Sequence, residues 1–297
     1  MASSGFFDAY PRFAETSKTG PSLARLSARH RVLILDREPL FRGARVLDVA
    51  SHDGRFSFAA LRAGAREVVG VEHDPELVDR ATANLEAYGE DSDSFRFVCR
   101  DLFEGFDDLG RFDVVLCFGI LYHVNDHLHL LSSIAAVEPG TVIIDSHVSD
   151  REGAVIELRS PLGVSPPEPG SAIEGHPSRA ALEAMTSTLG WSGTFVDWNE
   201  TALPHDDGID DYLTGRRATY VCVCPPPIDP EVRHLAVNLV FDNQKEPRWQ
   251  WMAITGIAEH FGINPQALRM WVRKYEREGR GPKTAPTTGD RAEPPGP

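Results

Sequence analysis

The chain has 297 residues, with 30 Lys and Arg against 44 Asp and Glu, and a formal net charge of −14. These figures fit a globular protein of one large domain, or one domain with an appendage, and they exclude an intrinsically disordered chain. The sequence contains no apolar run of about 18 residues and no basic stretch followed by an apolar block near residue 1, so neither a membrane span nor a secretory signal is predicted. Four cysteines are too few for a disulfide framework. We therefore expect a cytoplasmic protein.

The charge is divided between two regions of the chain. Residues 1–228 carry a net charge of −15 and residues 229–297 a net charge of +1, and within the latter the stretch 265–283 carries +4. Three consecutive prolines, 225–227, separate the regions and predict a stiff linker. The predicted organisation is N-terminal cap helices at 1–38, a main domain at 39–224, a linker at 225–228, a helical module at 229–280 and a disordered tail at 281–297.

Short apolar runs alternate with helical patterns through the main domain. The predicted strands, in chain order, are 45–49, 68–71, 95–98, 112–118 and 141–144, with 194–196 and 219–223 completing the sheet. Helices are predicted between them, for example over 56–63 and from the Asp74-Pro75 pair onward. This alternation predicts an α/β fold with a doubly wound, mostly parallel sheet of seven strands. Ligands of such folds bind beyond the carboxyl ends of the strands.

Small and acidic residues stand at three of these strand ends. Asp48 leads into Ala50-Ser51-His52-Asp53-Gly54 after the first strand, Glu72 ends the second, and Asp101-Leu102 follows the third. A loop of small residues lets the backbone approach a ligand closely. A carboxylate at the end of the second strand can accept hydrogen bonds from ribose hydroxyls, and one after the third can accept from an adenine amino group.

These positions resemble the class I S-adenosylmethionine-dependent methyltransferases over residues 40–224, with a Rossmann-like fold. The resemblance implies that Glu72 binds the cofactor ribose and that Asp101 and Leu102 border the adenine. It also implies that the segment from Asp48 to Gly54, including Ala50 and Ser51, lines the methionine part. The loop departs from the family pattern, because Ala50 and His52 stand where the first two glycines are usual.

The segment after the fourth strand adds a catalytic candidate. Residues 118–124, Phe-Gly-Ile-Leu-Tyr-His-Val, resemble the corresponding segment of wobble-uridine-modifying methyltransferases and their small-molecule relatives. The resemblance implies that His123 lies near the transferred methyl group, where it can serve as the general base for a hydroxyl acceptor. The alternative for His123 is a packed histidine with no proton role. Phe118 is expected to line the cofactor pocket. Tyr122 is expected to form a wall of that pocket and to contact the substrate.

A second candidate pair follows the fifth strand. Asp145 and His147 are two residues apart and share one face of an extended segment. They could orient the acceptor, bind a divalent cation such as Mg²⁺ with Glu174 or His176, or form a hydrogen-bonded pair without metal. Glu174 and His176 are also substrate-contact candidates in a segment, 158–178, that is predicted to be loop-like. His127 and His129 are expected to be solvated on a polar helix face.

Outside the sheet, the sequence offers two further interpretations. Leu23, Leu26 and His30 predict a helix that covers the cofactor, whose carboxylate could be held by Thr19, Ser22 or Arg25; the alternative for this helix is packing with solvated cations. Cys222-Val-Cys224 lies on a predicted strand. With no second cysteine pair in the sequence, a core or edge position is favoured over zinc.

The C-terminal region predicts three helices. They cover 231–243 and 254–261 and a third that follows Asn264, with Leu268, Trp271 and Val272 on its apolar face. Residues 229–280 resemble the DNA-binding segment of insertion-sequence transposase proteins, with a helix-turn-helix arrangement. Dimerisation and a remnant of gene fusion are the alternatives for this module.

Three functions are compatible with the sequence. The first is a methyltransferase that O-methylates a small molecule or saccharide, and the acidic main domain favours an uncharged or cationic acceptor. The second is a tRNA- or DNA-modifying methyltransferase that docks nucleic acid through residues 229–280. The third is a non-catalytic DNA-binding regulator. A homodimer is compatible with each.

Overall fold

The computed structural model describes residues 5–160, 173–201, 203, 208–243 and 249–279. The chain divides into two compact units, Met1–Pro227 and Ile228–Pro297. The predicted tail at 281–297 and the middle of the predicted loop-like segment, 161–172, lie outside the described residues. No helix among the described residues is both long and apolar enough to cross a membrane.

The first unit alternates strands and helices in the predicted order. Its helices are α1 (Arg12–Glu15), α2 (Leu23–Leu33), α3 (Arg55–Arg62), α4 (Pro75–Ala87), α5 (His127–Ala135), α6 (Arg179–Ser187) and α7 (Asp210–Leu213). Its strands are β1 (Arg45–Val49), β2 (Glu67–Glu72), β3 (Phe95–Cys99), β4 (Val114–Phe118), β5 (Thr141–His147), β6 (Ile156–Arg159), β7 (Glu174–Pro177), β8 (Ser192–Phe195) and β9 (Arg217–Val223).

Seven of these strands form one sheet in the order β3-β2-β1-β4-β5-β9-β8. The first five are parallel, whereas β9 runs antiparallel to both β5 and β8. The predicted doubly wound, mostly parallel sheet of seven strands is therefore confirmed. Because β9 is antiparallel to β5, the first residues of β9 lie at the same edge of the sheet as the carboxyl ends of β1–β5.

Burial explains why the central strands form. In β1 and β4 nearly every side chain is buried, as expected for parallel strands that are covered on both faces. The N-terminus of α4 follows the predicted signal, since Asp74 accepts a hydrogen bond from Glu76 N and Pro75 is the first helical residue. Gly54 precedes α3 with a φ of 79°, and a Cβ there would come within 2.9 Å of Phe97, so glycine allows α3 to sit close to the sheet.

The segment predicted as a loop over 158–178 contains a hairpin. Strands β6 and β7 pair antiparallel, with Glu157 opposite His176 and Arg159 opposite Glu174. Strands of four residues are too short to show a clear pattern, which is why the sequence did not reveal them. The expectation for His127 was wrong, because its side chain is buried and its Nε2 lies 2.9 Å from the Gly175 carbonyl oxygen. His127 thus anchors β7 to α5.

Cys222 and Cys224 lie in and directly after β9, the strand that ends at Val223. Cys222 is buried within β9, and Cys224 N donates a hydrogen bond to the Gly140 carbonyl. Among the described residues, no group of three or more His, Cys, Asp or Glu side chains is arranged to hold a metal ion. Cys222 thus lies in the core, and the partly buried Cys224 packs against it just after β9.

The second unit is helical, with α8 (Pro230–Asn243), α9 (Gln250–Phe261) and α10 (Pro265–Arg277). Gly262 ends α9 with a φ of 65°, and the Asn264 side chain accepts hydrogen bonds from Gln266 N and Ala267 N at the start of α10. Residues of all three helices form its apolar core: Ala236, Val237, Val240, Phe241, Ile254, Ala258, Ile263, Leu268, Trp271 and Val272.

Candidate active site

The loop after β1 has an unusual backbone. Ala50 has a φ of 57° and His52 a φ of 53°, two of the three non-glycine residues with positive φ among the described residues. This left-handed conformation is costly for residues with a Cβ. The loop therefore keeps the backbone that glycines would favour, although two of the usual glycines are replaced. Backbone strain of this kind occurs preferentially at functional sites.

We expect Ala50→Gly to leave the free energy of unfolding unchanged or to raise it by up to about 1.5 kcal/mol. Glycine relieves about 1–2 kcal/mol of left-handed strain and costs roughly 0.4–1 kcal/mol of unfolded-chain entropy. The matched control is Ala83→Gly on the exposed face of α4, which should lower stability by about 1 kcal/mol. Urea unfolding measures both. Equal destabilisation by the two substitutions would contradict the strain at Ala50.

Glu72 organises the loop and the start of α4. Its Oε2 accepts a hydrogen bond from His52 N at 3.0 Å, and its Oε1 accepts from His73 N at 2.9 Å and Asp74 N at 3.1 Å. The side chain is buried. Oε2 accepts from only one of these donors, so it retains a lone pair for a hydroxyl group.

The other residues expected around the cofactor lie at the same sheet edge. The Asp48 carboxyl is buried and accepts a hydrogen bond from Ser57 Oγ at 2.7 Å, and burial raises its pKa to about 7. Asp101 is exposed, and its Oδ1 accepts from Phe103 N, so Leu102 is held in a short helical turn beside it. Phe118 packs edge-to-face against Phe56 at the end of β4.

Two polar atoms in the loop lack partners. Ser51 Oγ and His52 Nε2 are buried, and no residue that the structure describes hydrogen-bonds to either. A buried polar atom without a partner is unfavourable unless a ligand or water satisfies it. Ser51 thus presents an unsatisfied hydroxyl in the loop that the sequence assigns to the methionine part.

Beyond β4 and β5, four side chains form what we call the ring cluster: Tyr122, His123, His147 and His176. The Tyr122 ring centroid lies 4.1 Å from that of His123 and 4.6 Å from that of His147, and the centroids of His147 and His176 are 5.8 Å apart. The fold therefore brings together side chains from segments that are distant in the sequence. All four are residues that the sequence analysis named as candidates for catalysis or substrate contact.

Glu174 connects two histidines of the ring cluster. Its Oε1 lies 3.4 Å from His123 Nδ1, and its Oε2 lies 2.9 Å from His176 Nε2. A carboxylate at Nδ1 favours the tautomer with the proton on that atom, which leaves His123 Nε2 free to accept a proton. Half of the His123 side chain is exposed, so an acceptor can reach it.

Burial lowers the pKa of both candidate bases. For His123, desolvation lowers the pKa below the usual 6.5, although Glu174 acts in the opposite direction. Desolvation, together with the positive charge of Arg217, lowers the pKa of His147 to about 4. Both imidazoles are therefore neutral at pH 7. Of the two, His123 has a carboxylate partner, Glu174, which favours its protonated form.

Asp145 occupies a different place from the one expected. Its carboxylate is fully buried, and Oδ1 accepts hydrogen bonds from Arg29 Nη2 at 2.9 Å and Arg217 Nε at 2.8 Å. Tyr212 donates to it at 2.9 Å and Thr219 at 2.9 Å, both on Oδ2. These groups hold its pKa at about 2 in spite of the burial. Asp145 is thus a buried counter-ion of two arginines. Its expected role as a base or metal ligand stays a prediction, and it requires these contacts to open.

Arg25 also has a partner within the chain. Its two Nη atoms contact the carboxylate of Asp211 at 2.8 and 2.7 Å, and Nη1 also donates to the Gly208 carbonyl. The expected contact of Arg25 with a cofactor carboxylate stays a prediction, and it requires this ion pair to open.

Sequence reasoning missed Arg29 and Arg217. Arg29 lies one helical turn after Arg25, so the spacing on α2 could have indicated it. Arg217 is the first residue of β9, and its register partner is His147, the last residue of β5. Only the antiparallel direction of β9 places Arg217 at the ligand edge, and the sequence pattern does not show strand direction.

Comparisons with known proteins agree with this architecture. Residues 46–138 match the family described as a methyltransferase domain. The N-terminal domain of EvdMO1, solved with SAH bound, superposes with a TM-score of 0.50 at 23% identity, covering 71% of this chain and 85% of that one. The first unit has a methyltransferase fold. A methyltransferase of Listeria monocytogenes, described as S-adenosylmethionine-dependent, also gives a TM-score of 0.50, at 12% identity over 69% of this chain and all of that one.

The curated relatives match shorter stretches. A ubiquinone biosynthesis O-methyltransferase of Coxiella burnetii is 28% identical over 120 residues, which are 40% of this chain and 50% of that protein. An uncharacterized 12 kDa protein of insertion element IS629 from Shigella sonnei is 42% identical over 62 residues, 21% of this chain and 57% of that protein. The chain thus spans about half the length of these relatives. The two matches thus concern different kinds of protein, and the chain itself has two compact units.

Proposed function

We propose that the chain is an S-adenosylmethionine-dependent methyltransferase that methylates a hydroxyl group of a small molecule or saccharide, with His123 as general base. The observation that carries the proposal is the ring cluster at the carboxyl edge of a methyltransferase-fold sheet, with Glu174 on His123 Nδ1. An exposed neutral histidine at this edge suits deprotonation of a hydroxyl.

The residues after β1 and β2 fit the cofactor. Ser51 Oγ and the remaining lone pair of Glu72 are groups that a ligand would satisfy at the positions assigned to the methionine and ribose parts. Asp48, Ala50, Gly54, Asp101, Leu102 and Phe118 complete the proposed cofactor contacts. When bound, S-adenosylmethionine supplies a methyl group on an electrophilic sulfonium.

The chain's own residues then handle the acceptor and its proton. His123 Nε2 accepts the proton of the acceptor hydroxyl as the oxygen attacks, and Glu174 stabilises the imidazolium that forms. Tyr122, His147 and His176 provide ring surfaces against which an acceptor can pack, and sugar and aromatic rings both suit such walls. The reaction needs no metal in this scheme.

We expect Glu72→Ala to weaken S-adenosylhomocysteine binding by roughly 10- to 100-fold, measured by calorimetry. The loss corresponds to one or two hydrogen bonds to a charged group. Because the alanine also deprives three backbone N–H groups of their acceptor, Glu72→Gln is a second variant that keeps the side-chain shape. Asp79→Ala, on the exposed side of α4, is the matched control. Unchanged affinity in both Glu72 variants would refute its role.

An acceptor screen with labelled methyl donor tests the function itself. Hydroxyl-bearing saccharides and phenols, amines and a mixed tRNA sample are offered in parallel, with and without EDTA. We expect transfer to a hydroxyl and no loss with EDTA. Transfer to amines or tRNA alone, or activity abolished by EDTA and restored by Mg²⁺, would contradict the proposal.

A second candidate function is supported by the second unit. Here α9 ends before Gly262 and α10 begins at Pro265, an order of elements compatible with a helix-turn-helix, and Arg273 and Arg277 are exposed on α10. We propose that this unit binds duplex DNA. Fluorescence anisotropy of the full chain with labelled duplex should then show binding that weakens steeply with added salt, and Arg273→Gln should reduce it. Absence of binding even at low salt would contradict this second function.

A further inference from the structure

The strongest unexplained feature of the first unit is a surplus of buried positive charge. Arg29 and Arg217 both bind the single carboxylate of Asp145. The side chain of Arg217 is 5% exposed and that of Arg29 12%. Among the described residues, Arg217 makes its hydrogen bond through Nε alone, to Asp145, and its Nη atoms donate to none. Arg29 Nε is buried without a partner. A largely buried guanidinium without a full set of partners is unfavourable unless a ligand or water completes it, and an anion also offsets its charge.

Other charged groups nearby do not supply the missing anion. Arg25 and Asp211 neutralise each other in a bidentate pair. Burial raises the pKa of Tyr212, so its hydroxyl stays neutral. Glu174 contacts His123 and His176 and makes no hydrogen bond or ion pair with either arginine. The site consequently has two chemically different ends. Arg29 and Arg217 carry positive charge at one end, and His123 with its partner Glu174 forms the proposed proton acceptor at the other.

The cationic end adjoins the place where the acceptor would bind. The guanidinium of Arg217 lies 5.6 Å from the centre of the Tyr122 ring, and Arg217 pairs in register with His147. A Cβ on Gly119, the residue after β4, would lie 3.3 Å from Arg217 Nη2, so the glycine leaves this side of the guanidinium uncovered. A guanidinium presents N–H groups in a planar fork that matches a carboxylate.

We infer that the methyl acceptor carries a carboxylate in addition to its hydroxyl, and that Arg29 and Arg217 bind this carboxylate. The inference rests on the proposed function and specifies its substrate class as a hydroxy acid with a ring, such as a phenolic acid or a uronic acid. It differs from the expectation drawn from the net charge of −15 over residues 1–228, which favoured an uncharged or cationic acceptor. The local charge at the site, and not the sum over the domain, determines which ligand is favoured there.

The test uses pairs of probes in which one member carries a carboxylate and the other a neutral group, hydrogen or hydroxymethyl, at the same position. The full chain, saturated with S-adenosylhomocysteine, is titrated with 3,4-dihydroxybenzoate against catechol and with D-glucuronate against D-glucose. We expect the acid of at least one pair to bind about tenfold more tightly than its neutral partner, as one charge-assisted contact would give. No preference for the acid in either pair would overturn the inference.

Arg29→Gln tests whether these arginines are the source of the preference. This change leaves Arg217 and Asp145 as a one-to-one pair, so the unit should still fold, and the preference for the acid should disappear. Arg31→Gln, on the same helix with a surface partner in Asp36, should retain the preference. If Arg29→Gln weakens S-adenosylhomocysteine and leaves the preference intact, the arginines bind the cofactor carboxylate and the inference fails.

The proposed function can fail separately. If the wild-type chain does not bind S-adenosylhomocysteine, the methyltransferase proposal is wrong. The same probe titrations without it still determine whether the arginines select a carboxylate.

Discussion

Replacement of His123 by alanine is expected to lower the turnover number by roughly 10²–10⁴-fold, the usual contribution of a general base. Affinity for S-adenosylhomocysteine should be nearly unchanged, because His123 belongs to the acceptor side of the site. His129→Ala, on an exposed position of α5, is the control and should retain full activity. The measurement is steady-state methyl transfer with the acceptor found in the screen.

The pH dependence of kcat/KM distinguishes a base from a packing residue. A base acts in its neutral form, which predominates above its pKa, so the rate should fall as the pH drops through that value. Because burial lowers the pKa of His123 below 6.5, the acid limb should lie below pH 6.5 in the wild-type chain. It should be absent in His123→Ala. A limb near pH 4 that persists in this variant and disappears in His147→Ala would assign the base to His147.

Asp145→Asn is expected to lower the free energy of unfolding by about 3–5 kcal/mol, because it leaves two buried guanidinium groups without their counter-ion. For a domain of this size the melting temperature should fall by roughly 10 °C. Asp36→Asn, which removes a surface partner of Arg31, should have little effect and serves as control. Asp145→Asn with Arg29→Gln should be more stable than Asp145→Asn alone. Wild-type stability in the single variant would contradict the role of Asp145.

The Asp145 carboxylate also makes the free energy of unfolding depend on pH in the acid range. Its pKa is about 2 in the folded chain against an ordinary value of 3.8, so folding favours the ionised form. The contribution is fully present above pH 3.8 and is lost as the pH falls towards 2, by about 2 kcal/mol in total. In Asp145→Asn this part of the acid destabilisation should be missing, which urea unfolding at several pH values can detect.

The sequence predicted the sheet well because each parallel strand is a separate apolar run with its own helix. It also named Tyr122, His123 and His147 as separate candidates, because they stand at strand ends that the topology brings to one edge. That these rings and His176 contact one another was not predicted, since the position of the β6–β7 hairpin does not follow from the sequence pattern. It did not predict the surroundings of Asp145. Whether a carboxylate after a strand faces a ligand or two arginines depends on contacts with residues 72 and 116 positions away, at Arg217 and Arg29.

The cofactor side and the acceptor side of the site come from differently arranged parts of the chain. Apart from Arg25, the residues proposed to bind the cofactor come from one continuous stretch, from Asp48 to Phe118. The family match over 46–138 covers that stretch and ends before β5. The acceptor side draws on α2, the turn after β4, the end of β5, the β6–β7 hairpin and the start of β9. A continuous stretch can be inherited intact while separate segments change independently. His123 and Tyr122 lie inside the matched stretch, whereas α2, the end of β5, the β6–β7 hairpin and the start of β9 lie outside it. Relatives that match over 46–138 can therefore differ in acceptor through these outer segments.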